Sequence, residues 1–107
     1  MNLKERALMI LRELLNEYKI AVLVRLKGGV KLEITNEDYV ARICRNTVFL
    51  GKKAFILNDD ELRYVILHEI MHLRYPVDDD FFMSLLKEIE PRADELHKIV
   101  LEKTLKY

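Results

Sequence analysis

The hydrophobic period of this chain changes twice along its 107 residues, and that change constrains the fold more than any other feature. Leu3, Ala7, Leu8, Ile10, Leu11, Leu14, Leu15 and Tyr18 recur at helical spacing and predict an amphipathic helix over about 3–18. Asn2 is placed to cap it, with Glu5 as the partner in a capping box. The period then falls to two. Ile20, Val22, Val24 and Leu26 alternate, as do Val30, Leu32 and Ile34, and Lys27-Gly28-Gly29 between them predicts a hairpin. Residues 35–45 fit a short helix through Tyr39, Val40, Ile43 and Cys44, or a strand through Tyr39, Ala41 and Ile43; we read a helical turn. Thr47–Leu50 and Ala54–Leu57 predict two short strands, or one strand with a bulge at Gly51.

From Asn58 onward the pattern is helical. One helix, capped by Asn58, Asp59 or Asp60, carries Leu62, Val65, Ile66, Ile70 and Leu73 inward and stops before Pro76. Asp78 or Asp79 caps a shorter one with Phe81, Phe82, Leu85, Leu86 and Ile89, and Pro91 fits the first position of a last helix. The aromatics Phe49, Phe55, Phe81 and Phe82 read as core. The expectation is a single α+β domain over residues 1–107: an N-terminal helix, a small, mainly antiparallel sheet of three to four strands, then two or three helices.

Composition excludes several classes of function. Eighteen basic and 18 acidic side chains cancel, so a broadly basic nucleic-acid surface has no support. One cysteine excludes an internal disulfide framework and a four-cysteine zinc site, and fits a reducing cytoplasm. Cys44, between Ile43 and Arg45, reads as a packing residue. The longest apolar runs, such as Ile20–Val24, are too short for a membrane span, and no secretory signal is apparent, so the expected localisation is cytoplasmic.

Residues 68–72 read His68-Glu69-Ile70-Met71-His72, an H-E-x-x-H string inside a capped helix. Positions four apart lie one turn above each other, so both imidazoles reach one metal from the same face. Glu69 is then placed to accept a proton from a water on that metal. By average residue frequencies the string arises by chance in a chain of this length on the order of a few times in a thousand.

A catalytic zinc takes three protein ligands and keeps one position open. Three residues compete for the third place. Asp78 lies six residues after His72, although Tyr75 stands where a glycine would ease the turn. His97 could reach in from the last helix. Glu90 is four residues before Asp94, so on a helix the two share a face, Glu90 as ligand and Asp94 as acceptor for the other N–H of a ligand histidine.

The ordered motifs Asn46-Thr47-Val48-Phe49-Leu50-Gly51, Ala54-Phe55-Ile56-Leu57, Asp60-Glu61-Leu62, His68–His72 and Glu90-Pro91-Arg92-Ala93-Asp94 resemble gluzincin metallopeptidases. They are most similar to the catalytic domains of the CAAX prenyl-protein proteases, the HtpX-like proteases and the soluble archaeal minigluzincins. The resemblance covers residues 46–97. It implies an edge strand at Asn46, Thr47, Val48 and Phe49 that binds an extended peptide, an active-site helix, and a C-terminal glutamate helix on which Glu90 completes a site for one Zn2+ per chain. Thr47 in place of alanine and Pro91 directly after Glu90 depart from the family pattern.

The activity implied is peptide-bond hydrolysis of a peptide or protein substrate, with Glu69 as general base and latency of the full-length chain through a terminal segment. An oxyanion stabiliser is common in such sites; His97 is the candidate, with Tyr75 and Arg92 as others. The alternatives are a zinc-binding module that regulates or binds peptides without cutting, and a metal-free helical interaction domain. The Asp78-Asp79-Asp80 run reads as a helix N-terminus.

Overall fold

A computed structural model of the chain describes residues 1–25 and 29–105. Helix α1 spans Leu3–Leu15 and is capped by Asn2, whose side-chain oxygen accepts from the Glu5 N–H at 2.8 Å. A second, short helix follows: α2, Tyr18–Leu23. This corrects the expected first strand of a hairpin. Ile20 and Val24, four residues apart, are buried while Val22 between them is exposed, so burial there follows the helical period. Leu26, Lys27 and Gly28 of that expected hairpin lie outside the described residues.

Three strands form the sheet: β1 (Lys31–Ile34), β2 (Ala41–Cys44) and β3 (Thr47–Leu50), in the order β1-β3-β2. Strands β2 and β3 pair antiparallel, whereas β1 and β3 pair parallel, so the sheet is mixed rather than mainly antiparallel. The cause is the path of residues 35–40, which carries the chain past β3 and lays β2 along its far side. Strand β2 also replaces the expected helical turn: half-buried Ala41 and Ile43 alternate with exposed Arg42 and Cys44. The β2–β3 turn is Arg45-Asn46, with Arg45 at φ 54, a left-handed conformation that favours glycine.

Ala54–Leu57 is not a strand. Lys52–Ile56 is a 3-10 helix, with Ala54 and Leu57 buried three residues apart and Phe55 exposed between them. Gly51 is there for close approach rather than for a bulge. A Cβ on it would lie 2.1 Å from the Tyr39 carbonyl oxygen and 2.9 Å from that of Glu37.

Helix α3, Asp59–Met71, forms the centre, with α1, α4, α5, β2 and β3 against it. Asn58 and Glu61 close a reciprocal capping box at its start. Leu62, Tyr64, Val65, Ile66, Leu67, Ile70 and Met71 are all buried, a helix covered on several sides rather than along one stripe. Helix α4, Asp80–Ile89, is capped by Asp79, which accepts from the Phe82 N–H at 2.9 Å. Phe82 is fully buried, but Phe81 and Phe55 are exposed and do not belong to the core. Helix α5 spans Ala93–Leu105, so Pro91 stands two residues before it, in a turn. Glu90 ends α4 in an extended conformation (φ −129, ψ 96), the restriction that a following proline imposes. No helix among the described residues is long and apolar enough to cross a membrane.

Candidate metal centre

Tyr64 and His68 lie one turn apart on α3, and His72 follows one turn later at its C-terminal cap. Phe82 of α4 packs beneath both imidazoles, stacked on His72 with centroids 4.6 Å apart and edge-on to His68 at 5.3 Å. The loop between α3 and α4 brings Asp78 over the pair. Its Oδ1 lies 3.2 Å from His68 Nε2 and 3.1 Å from His72 Nε2. These three residues are the group of His, Cys, Asp and Glu side chains among the described residues whose donor atoms converge closely enough to hold a metal ion.

The donor chemistry fits an ion. His72 Nδ1 lies 3.1 Å from the Tyr75 carbonyl oxygen, an acceptor only, so Nδ1 carries the proton. Nε2 then faces a carboxylate oxygen, a contact that is favourable with a proton or cation between them. Ligands bonded at about 2.0–2.2 Å in a tetrahedral site stand roughly 3.3–3.5 Å apart. The Asp78 separations, 3.2 and 3.1 Å, are slightly shorter than that, so a bound ion would spread the three atoms by a few tenths of an ångström.

On the other flank of His68 lies a cleft of about 150 Å³. Glu69, Tyr64 and His97 line it, together with Ala41, the first residue of β2, and Val40 just before it. The Glu69 side chain is 13% exposed, with Oε1 3.8 Å from His68 Nδ1. Burial pulls the His68 pKa down, but the Glu69 and Asp78 carboxylates outweigh it and the net shift is upward. Burial, with the charges of Asp78 and Asp94, pushes the Tyr64 phenol up to about 12.

The other residues predicted from sequence are placed as follows. Glu90 is turned toward Arg63, with Oε1 3.6 Å from Nη1, and Oε2 accepts from the Arg92 N–H at 3.2 Å. Asp94 pairs with Lys87 at 2.8 Å on the surface. The acceptor for the His72 N–H is therefore a backbone carbonyl and not Asp94. His97 sits close to His68, centroids 6.4 Å apart, and its Nδ1 is 2.8 Å from the Tyr64 hydroxyl. The Tyr75 hydroxyl donates to the Leu23 carbonyl, and Arg92 pairs with Glu95 and Asp60. Asn46 is in a turn and Thr47, Val48 and Phe49 lie in β3, bonded on both sides, so the strand that borders the cleft with a free edge is β2. Asp78 leaves the acidic run for the histidines, while Asp79 caps α4. No motif marks Tyr64 in the sequence; its one signal is its position four residues before His68, on the same helix face.

No protein-family profile matches the chain, and no curated protein matches it in sequence. Among solved structures it is similar to the crystal structure of the metallopeptidase zymogen of Pyrococcus abyssi abylysin. The TM-score is 0.70 at 20% identity, over 91% of this chain and 93% of that one. The chain thus shares the fold of that structure.

Proposed function

We propose that the chain is a zinc-dependent peptidase that cleaves an extended peptide or protein substrate. The observation that carries this reading is the convergence of His68 Nε2, His72 Nε2 and Asp78 Oδ1, with Glu69 beside them in a cleft. Two imidazoles and a carboxylate form a donor set of catalytic zinc with one position left open. A zinc ion there supplies Lewis-acid polarisation of the scissile carbonyl and acidifies a water.

The residues of the chain do the rest. Glu69 takes the proton of the attacking water on a carboxylate oxygen and passes it to the leaving nitrogen. The free edge of β2 pairs with the extended substrate main chain. In this reading Asp78 is the third ligand, supported by the convergence of its Oδ1 with the two imidazoles. The gluzincin set, with Glu90, would require that side chain to leave Arg63 and the end of α4.

Latency of the chain is a second reading, favoured by α5, whose His97 and Leu101 narrow the cleft opposite β2. The test of function is hydrolysis of dye-labelled casein by zinc-loaded wild type and Glu69→Gln. The reading expects cleavage by the wild type, and in the variant retained zinc with a loss of about 10³-fold or more. Equal cleavage by both proteins would remove Glu69 as the base.

A further inference from the structure

Tyr64 is 2% exposed, so its hydroxyl proton must find an acceptor inside the protein. Among the described residues its hydrogen-bond partner is His97 Nδ1, at 2.8 Å. If Nδ1 carried the proton, the phenol O–H would be left buried without an acceptor, an arrangement that folded proteins avoid. The satisfied arrangement has the phenol donating and Nδ1 accepting. The proton of a neutral His97 is then on Nε2.

Tyr64 is itself held from two sides. It stacks on His68 at 6.0 Å with ring planes 15° apart, and it meets His97 edge-on at 5.9 Å. His97 is exposed on α5 and lines the same cleft as Glu69 and the start of β2. Its Nε2 makes no hydrogen bond among the described residues. A peptide lying along β2 would bring its carbonyl oxygens into this cleft.

We propose that Tyr64 is a positioning residue that holds His97 as the Nε2–H tautomer, and that His97 thereby donates a hydrogen bond to the scissile carbonyl oxygen of a bound peptide. The donor role rests on the peptidase reading above; the tautomer does not. It turns His97 from a candidate on spacing into a group with a defined protonation site and a defined dependence on a second residue.

The test has two arms on the full-length, zinc-loaded protein. In the first, nitrogen-15 NMR of the histidine rings at pH 8.5 locates the imidazole proton. The expected result is a proton on His97 Nε2 in the wild type and a mixture of tautomers in Tyr64→Phe. A proton on Nδ1 in the wild type, or an unchanged tautomer in Tyr64→Phe, overturns the positioning role. In the second arm, dye-labelled casein is the substrate. His97→Ala should lower kcat by about 100-fold with little change in KM, as loss of an oxyanion donor does. Tyr64→Phe should lower kcat by about 10-fold, and should add nothing in the His97→Ala background. An additive double variant, or an undiminished His97→Ala, overturns the donor role while leaving the peptidase intact. A wild type and a cleft-opened Leu101→Ala variant that both cleave nothing overturn the peptidase reading and the donor role with it, while the NMR arm still decides Tyr64.

Discussion

His68, Glu69 and His72 are joined by chain spacing alone, and a helix converts that spacing into a shared face. This is why those three residues were legible in the sequence. Which of the candidate carboxylates stands beside the two imidazoles was not, because its aim depends on contacts between distant segments. The Tyr75 hydroxyl bonds the Leu23 carbonyl, its own carbonyl faces His72 Nδ1, and these two links turn the loop so that Asp78 meets both imidazoles. Glu90 instead faces Arg63 and has the extended backbone of a residue before proline. At this scale two outcomes are expected beyond the loss of turnover in Glu69→Gln. Gly51→Ala forces a Cβ against the Tyr39 and Glu37 carbonyls, so it should destabilise the protein by about 1–3 kcal/mol, measured by urea denaturation. A variant as stable as wild type would show that the 37–39 loop moves freely. Leu101→Ala should widen the cleft with little change in melting temperature, since Leu101 is 46% exposed. Latency through α5 predicts faster casein hydrolysis in that variant, and an unchanged rate would argue against it.

The helices α1, α3 and α4 follow from apolar spacing and capping residues, and Asn2, Asn58 and Asp79 all cap as their types predict. The elements that differ are short and sit where two periods compete. Ile20, Val22 and Val24 alternate in sequence, yet packing against α4 and α1 selects the i, i+4 pair Ile20 and Val24. Strand β2 was one of two readings of residues 35–45, and it is settled by pairing with β3 across a turn that lacks glycine. Helix α5 is fastened to α3 by a pair that sequence does not announce: Lys103 meets the buried carboxylate of Glu61 at 2.7 Å. Burial pushes the Glu61 pKa up, but Lys103 and the Asn58 N–H outweigh it, and the net shift is below the ordinary value of 4.5. The unfolded chain therefore takes up this proton before the folded one. The resulting stability is fully present above about pH 4.5 and is lost as pH falls through the lower, folded value. Thermal melts between pH 3 and 6 should show this decline, and Lys103→Met should weaken it. An acid profile unaltered by Lys103→Met would mean that Lys103 does not set the Glu61 proton affinity.

Across the molecule, the mixed sheet decides which strand has an edge open to pairing. With β3 central and bonded on both sides, the Asn46–Phe49 segment cannot add a peptide strand, and the free edge beside Glu69 belongs to β2. Sequence placed the strand but could not rank it within the sheet, because strand order arises from long-range pairing. Arg63 links Glu17, before α2, to Glu90, at the end of α4, and so ties the two halves of the helical layer across α3. Glu90 is thus paired with Arg63 and lies outside the group His68, His72 and Asp78, whose donor atoms converge closely enough to hold an ion. The metal content of full-length protein, purified without added zinc and measured beside His68→Ala, Asp78→Ala and Glu90→Ala, tests this account most directly. It predicts about one zinc per chain in the wild type and in Glu90→Ala, none in His68→Ala, and a large loss in Asp78→Ala. Zinc retained in His68→Ala, or lost in Glu90→Ala but kept in Asp78→Ala, would contradict it.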